Sequence, residues 1–112
     1  MAESIDFLRG TLDLLVLKTL SWGPAHGYGV ARWIERCTDD VLAVEEGSLY
    51  PALYRLESRG WITAEWGVSE NQRRARFYHL TPAGKKQLRA SHLHWSRFAK
   101  AVGRVLDTAP TA

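Results

Sequence analysis

Residues 45–81 read EEGSLYPALYRLESRGWITAEWGVSENQRRARFYHLT, and the order of this stretch decides the fold. Leu49, Leu53 and Leu56 recur at helical spacing, and Gly60 suits the left-handed position after a last helical turn. The helix is expected to start near Gly47 or Ser48, with Pro51 in its first turn, where backbone N–H groups have no intrahelical partner. Ile62–Trp66 and Arg76–Leu80 then have strand composition. Gly67 to Arg73, between them, is a polar connection too long for a two-residue turn, and Arg73, Arg74 and Arg76 cluster there. An amphipathic helix running into a basic hairpin predicts a helix with a β-wing beside it. A helix fits the major groove of DNA, and a basic hairpin can lie along the adjoining phosphates.

Upstream, Leu8, Leu12, Leu15, Val16 and Leu20 recur at helical spacing, and Gly23-Pro24 ends that first helix. A second helix is expected from about Gly27 to Cys37, with Val30, Ala31, Ile34 and Cys37 on one apolar face and Arg32, Glu35 and Arg36 mostly outside it. Thr38-Asp39-Asp40 reads as a polar turn. Three helices on short turns, followed by two strands, make a helix-turn-helix the leading architecture. Downstream, Thr81-Pro82 pairs a capping hydroxyl with a proline at the first helical position. The helix it opens should reach about Leu106, roughly 25 residues or ~37 Å. Leu88, Trp95, Phe98, Val102 and Leu106 mark its apolar stripe. A stripe that long outruns a body of under eighty residues, so its outer part needs a second subunit; folding back on its own domain is the alternative. The expected fold is thus mainly α with a small β-hairpin: a winged helix-turn-helix over residues 1–80, then a C-terminal dimerisation helix and tail over 81–112.

Charge is divided unevenly along the chain. Residues 1–70 carry six Lys/Arg against eleven Asp/Glu, and residues 71–112 carry nine against one, within an overall net charge of +3. The basic half points to an anionic partner such as nucleic acid, or to a solvated basic surface. At 112 residues there is room for one core. No apolar run reaches the ~18 residues that span a bilayer, and no signal peptide opens the chain. Cys37 is the single cysteine, so no internal disulfide forms, which fits a reducing cytoplasm.

The candidate reading head is Ser48, Tyr50, Pro51, Tyr54 and Arg55, at or near the start of the third helix and off its leucine stripe. Tyr50 and Tyr54 stand one turn apart and present two phenolic hydroxyls on one face, unless one of them packs in the core. Arg55 is the candidate for a base or phosphate contact within the helix. In the wing, Arg73, Arg74 and Arg76 are phosphate or minor-groove candidates, with Asn71 and Gln72 at the tip. Tyr28, in His26-Gly27-Tyr28 at the start of the second helix, is placed either to hold a phosphate or to pack in an ordinary turn. Leu8, Leu12 and Leu15, together with Leu88, Trp95, Phe98, Val102 and Leu106, are candidates for a dimer interface. Trp95 could line a gap between subunits where a planar apolar or cationic ligand stacks, or simply pack the interface. His92 and His94 project to different helix faces, which is poor geometry for a shared metal. No His-Glu-x-x-His, paired-cysteine, phosphate-loop or nucleophile-elbow motif is present, so neither catalytic residues, a metal nor a cofactor is expected.

Taken together, GTLDLLVLKTL (10–20), GPAHGYGVARWI (23–34), EEGSLYPALYRLESRGWI (45–62) and AEWGVSENQRRARFYHLTPAGKKQL (64–88) resemble the PadR family of bacterial winged-helix regulators. The resemblance covers nearly the whole chain. The short single C-terminal helix looks like the smaller PadR subfamily, and the EWGVSEN wing is similar to a branch common in Acidobacteria. The resemblance implies a cytoplasmic, homodimeric transcriptional regulator, usually a repressor, on a pseudo-palindromic double-stranded operator, with no membrane partner. It implies that the third helix enters the major groove, that the wing touches the adjoining backbone, and that the terminal helices hold the dimer. Some small members hold flat drug-like compounds between paired tryptophans, and Trp95 occupies the matching place. A winged helix used purely for protein–protein contact is the alternative, its basic face docking an acidic partner.

Overall fold

In the computed structural model, which describes residues 3–4 and 9–111, the chain runs β1 (Glu3–Ser4), α1 (Arg9–Leu20), β2 (Ala25–His26), α2 (Gly27–Cys37), β3 (Leu42–Ala43), α3 (Glu46–Ser58), β4 (Ile62–Val68), β5 (Arg74–Leu80) and α4 (Pro82–Asp107). The hairpin pairs β4 with β5 from Ile62↔Leu80 to Val68↔Arg74. β2 joins its other edge antiparallel, giving the order β2-β5-β4. A two-residue strand such as β2 leaves no periodicity to read, so this third strand was not expected. β1 and β3 form a separate parallel pair. Among the described residues, no helix is long and apolar enough to cross a membrane.

The core is built from leucines at helical spacing. Leu12, Val16, Leu17 and Leu20 of α1 meet Val30 and Ile34 of α2, Leu49, Leu53 and Leu56 of α3, and Ile62 and Tyr78 of the sheet. α1 buries side chains on more than one flank, because it lies beneath α2, α3 and α4 together. Leu12, expected at a dimer interface, is only 2% exposed and belongs to the protomer's own core. Leu15 and Leu88 are half-buried against that core, and Leu8 lies outside the described residues.

Several local readings need correction. Cys37, expected on the buried face of α2, is exposed. It is the last residue of the helix, where the apolar stripe has already run past its partners. Glu35, expected outside, is buried: its carboxylate accepts the Val44 N–H at 2.9 Å and faces Arg32. It fastens the chain after α2 to the helix across a turn in which Asp39 and Asp40 take left-handed φ values of 49° and 63°. α3 begins at Glu46, which moves Pro51 from the expected first turn into the second. Without an N–H, Pro51 cannot donate to the Gly47 carbonyl, so α3 lacks that one bond of its ladder. Gly60, at φ 76°, does end α3 as expected.

α4 leaves the body through a tightly built joint. Thr81 Oγ1 accepts from Gly84 N at 3.0 Å and donates to the Gly60 carbonyl at 2.8 Å. Gly84 is buried, and a Cβ there would overlap the Trp61 carbonyl oxygen and come within 2.7 Å of Leu80 Cδ1. The joint therefore ties the first turn of α4 to the end of α3 and to the hairpin. Replacing Gly84 by alanine should destabilise the fold by about 1–3 kcal/mol, as overpacking against backbone does. Thermal unfolding followed by circular dichroism should register a drop of at least several degrees; an unchanged midpoint would mean that α4 does not sit on this carbonyl.

Candidate nucleic-acid interface

Tyr50 and Tyr54 face solvent from one side of α3, 49% and 73% exposed. Tyr50 also leans on the start of α2, where a Cβ on Gly27 would meet its ring at 3.2 Å. Its phenol is thus held in place without being buried. Pro51 is exposed beside it, and Ser48 is half-buried in the first turn. Tyr28 is 66% exposed in the first turn of α2, with the Arg32 guanidinium 5.7 Å from its ring centre. His26 caps that turn, its Nδ1 accepting the Gly29 N–H at 3.0 Å. The helix start that carries Tyr28 is therefore anchored to the sheet through β2.

The wing stands on the same side. Side chains alternate along a strand, so Arg74, Arg76 and Tyr78 share one face of β5, and Ala75 and Phe77 share the other. The first face is turned toward α3, because Arg76 Nη2 donates to Glu57 of α3 at 3.1 Å and Tyr78 is buried in the core. Burial raises the Tyr78 phenol above its ordinary value, with the Arg76 guanidinium opposing and the Glu57 carboxylate and Tyr50 adding to the rise. Tyr78 is part of the core that α3 shares with the hairpin.

The tip is tighter than the sequence implied. Both strands are seven residues long, and the turn shrinks to Ser69–Arg73. Ser69 N donates to the Arg73 carbonyl at 2.7 Å and Gln72 N to the Ser69 carbonyl at 2.9 Å, with Gln72 at φ 61°. Asn71, Arg73 and Arg74 are all exposed there. Arg74 lies over the Trp66 ring at 4.4 Å, and Trp66 itself is 59% exposed. Trp66 was absent from the expected contacts, although its place opposite Arg76 follows from strand alternation once the register is known.

Arg55 is the main departure. Its Nη2 donates to Asp13 of α1 at 2.8 Å, and both side chains are about three-quarters buried, at 28% and 25% exposure. The guanidinium is engaged inside the protein and ties α3 to α1. As Arg55 is the one basic residue in Glu46–Ser58, α3 offers no unpaired cation to a ligand. Any attraction to polyanions must come from the elements around it.

These features have close counterparts. The model of a family described as the transcriptional regulator PadR-like family matches residues 16–90. A transcriptional regulator from Clostridium thermocellum superposes with a TM-score of 0.80 at 31% identity, covering 88% of this chain and 96% of that one. A PadR family transcriptional regulator from Eggerthella lenta superposes with a TM-score of 0.76 at 32% identity, covering 94% and 89%. A curated transcriptional regulator of Mycobacterium tuberculosis is 32% identical over 83 residues, 74% of each chain. Members of this family regulate transcription and are not enzymes. With its helices, hairpin and matched segment in agreement, the chain belongs to the PadR-like family of transcriptional regulators.

Proposed function

We propose that the protein represses transcription by occupying a pseudo-palindromic operator as a homodimer, in the bacterial cytoplasm. The observation that carries this reading is the 3.1 Å contact between Arg76 and Glu57, which sets the wing's arginine face beside the exposed tyrosines of α3. On this reading α3 enters the major groove with Tyr50 and Tyr54 at the base edges and Ser48 and Pro51 at the rim. Tyr28, Asn71, Arg73, Arg74 and Arg76 meet the backbone on either side. Arg55 is assigned to holding α3 on α1 and not to DNA.

Residues 1–80 form the reading unit and α4, with the tail to residue 112, the dimer arm. Of the 26 residues of α4, Gly84 is the one that is buried. Phe98, Val102 and Leu106 are 53%, 39% and 77% exposed along a single stripe, and Trp95 lies 6.2 Å from Phe98 between ring centres. A second copy of the same helix supplies a self-complementary cover for such a stripe. A planar ligand stacked on Trp95 at that seam would release DNA by favouring a dimer with a different half-site spacing.

Footprinting on the intergenic DNA beside the protein's own gene tests the whole reading. Two protected half-sites related by a dyad are expected, roughly 34 Å or a multiple apart. No protection, together with capture of an acidic protein by the same face, would favour the protein–protein alternative.

A further inference from the structure

α4 carries its charge on one side. At about 100° per residue, Lys85, Lys86, Arg89, Arg97, Lys100 and Arg104 fall within an arc of about 120°. The stripe through Trp95, Phe98 and Val102 runs down the opposite side of the same helix. All six cations are exposed, and none has an ion-pair partner among the described residues. Leu88, on the apolar side, packs against the core, so the basic side is turned away from the protomer's own body. From Lys85 to Arg104 the row extends about 28 Å along the helix axis.

Of the chain's twelve Asp/Glu, Asp107 alone is on this helix, as its last residue. Solubility is served by both signs interspersed, and opposite charges three or four residues apart support a helix. α4 does the reverse. Lys85 and Lys86 with Arg89, and Arg97 and Arg104 with Lys100, are like charges at those spacings. Lys85 and Lys86 also stand near the N-terminus, where the helix dipole disfavours a cation. The pattern therefore destabilises the helix by itself, and an anionic partner offsets that repulsion.

We propose that the outer face of α4 holds the phosphate backbone of a second DNA duplex, without regard to sequence. A duplex carries one negative charge per ~1.7 Å of its axis, a rod of charge that a straight row of cations can follow. A protein partner needs a cluster of buried apolar anchors, and the large apolar side chain within this arc is Leu93 alone. With the apolar stripes facing each other across the dimer seam, the basic faces point outward from both arms. They are also set apart from the wing tip. Arg74 and the start of α4 are at opposite ends of β5, about 20 Å apart along the strand. A dimer seated on its operator therefore presents its arms to a further duplex. That bridging rests on the operator and dimer readings above; the affinity of α4 for a duplex does not.

Two measurements test the proposal. The first uses the full chain with Arg73→Ala and Arg74→Ala, so that the wing contributes little, and a duplex of scrambled sequence. Fluorescence anisotropy across a salt series should still show salt-dependent binding. Adding Arg97→Gln, Lys100→Gln and Arg104→Gln should weaken it about tenfold or more and flatten the slope of log affinity against log salt by about 2.7, roughly 0.9 for each of three phosphates. Glutamine has a helix propensity close to that of Lys and Arg, so the thermal midpoint should stay level or rise as repulsion is relieved. A fall would mean that the cations serve the fold, and it would overturn the proposal. An unchanged slope overturns it too, even where the same substitutions abolish binding to poly-L-glutamate, which would assign the face to an acidic protein. The second measurement places operator duplex on beads with otherwise wild-type protein and follows retention of a labelled scrambled duplex. Retention is expected, and it should be lost with the Arg97, Lys100 and Arg104 substitutions while the protein itself stays on the beads. Protein that is held there but captures no second duplex overturns the proposal. Protein that never reaches the beads counts against the operator reading instead, and the anisotropy series still decides the face of α4.

Discussion

Alanine at both Arg73 and Arg74 should weaken operator binding by about ten- to a hundredfold near physiological salt, with no loss of stability. The size of the effect follows from where the other cations are held. Arg55 is held inside the protein by Asp13, and the more exposed Arg76 is shared with Glu57, so it meets a phosphate only against the pull of that carboxylate. α3 also opens on exposed Glu45 and Glu46, which repel the backbone. The attraction therefore concentrates at the wing tip, where Arg73 and Arg74 are exposed. Each phosphate neutralised contributes roughly 0.9 to the slope of log affinity against log salt, so the double variant should flatten that slope by about 1.8. Discrimination between the operator and scrambled DNA should persist, because phosphate contacts carry no sequence information. Filter binding across a salt series measures both quantities, and a slope equal to that of the wild type would remove the wing from the interface.

Phe98→Asp should convert the dimer to monomer at micromolar concentration and abolish operator occupancy with it. Phe98 is 53% exposed in the protomer, midway along the α4 stripe. Covering a large apolar side chain stabilises an interface by roughly 1.5–3 kcal/mol, and the proposed dimer covers two copies of Phe98, one from each subunit. An unpaired carboxylate in the same place is driven back toward water, so the dissociation constant should rise on the order of a hundredfold or more. Loss of DNA binding follows because one reading unit no longer holds the other near its half-site. Lys100→Asp, two residues along and on the other side of the helix, should leave the dimer intact. Sedimentation velocity separates these outcomes. A Phe98→Asp protein that stays dimeric would place the seam elsewhere, whatever the footprint shows.

Much of the exposed face of α3 could be seen in the chain before folding. Leu49, Leu53 and Leu56 set the buried side of α3, so the exposed side had to carry Tyr50 and Tyr54, as it does. Gly60 and Thr81-Pro82 marked a helix end and a helix start through their own backbone chemistry. The wing showed itself through two strand-like runs flanking a polar, arginine-rich turn. Placing Leu12 at an interface and Cys37 in the core failed for one shared reason. Periodicity shows which residues share a face, but not which neighbour covers that face or how far along the helix the cover extends.

The order of the four helices and the hairpin, the end of α3 and the start of α4 were written in the linear chain, because they rest on residues a few positions apart. Partner choice among distant charges was not. Asp13 and Arg55 are 42 positions apart, and Glu57 and Arg76 are 19 apart, so each pair exists only after α1, α3 and the hairpin have packed. That packing tied the arginine of α3 to α1 and turned an arginine of the hairpin toward α3. Side-chain chemistry is local, but which charges remain unpaired is settled by the whole three-dimensional arrangement.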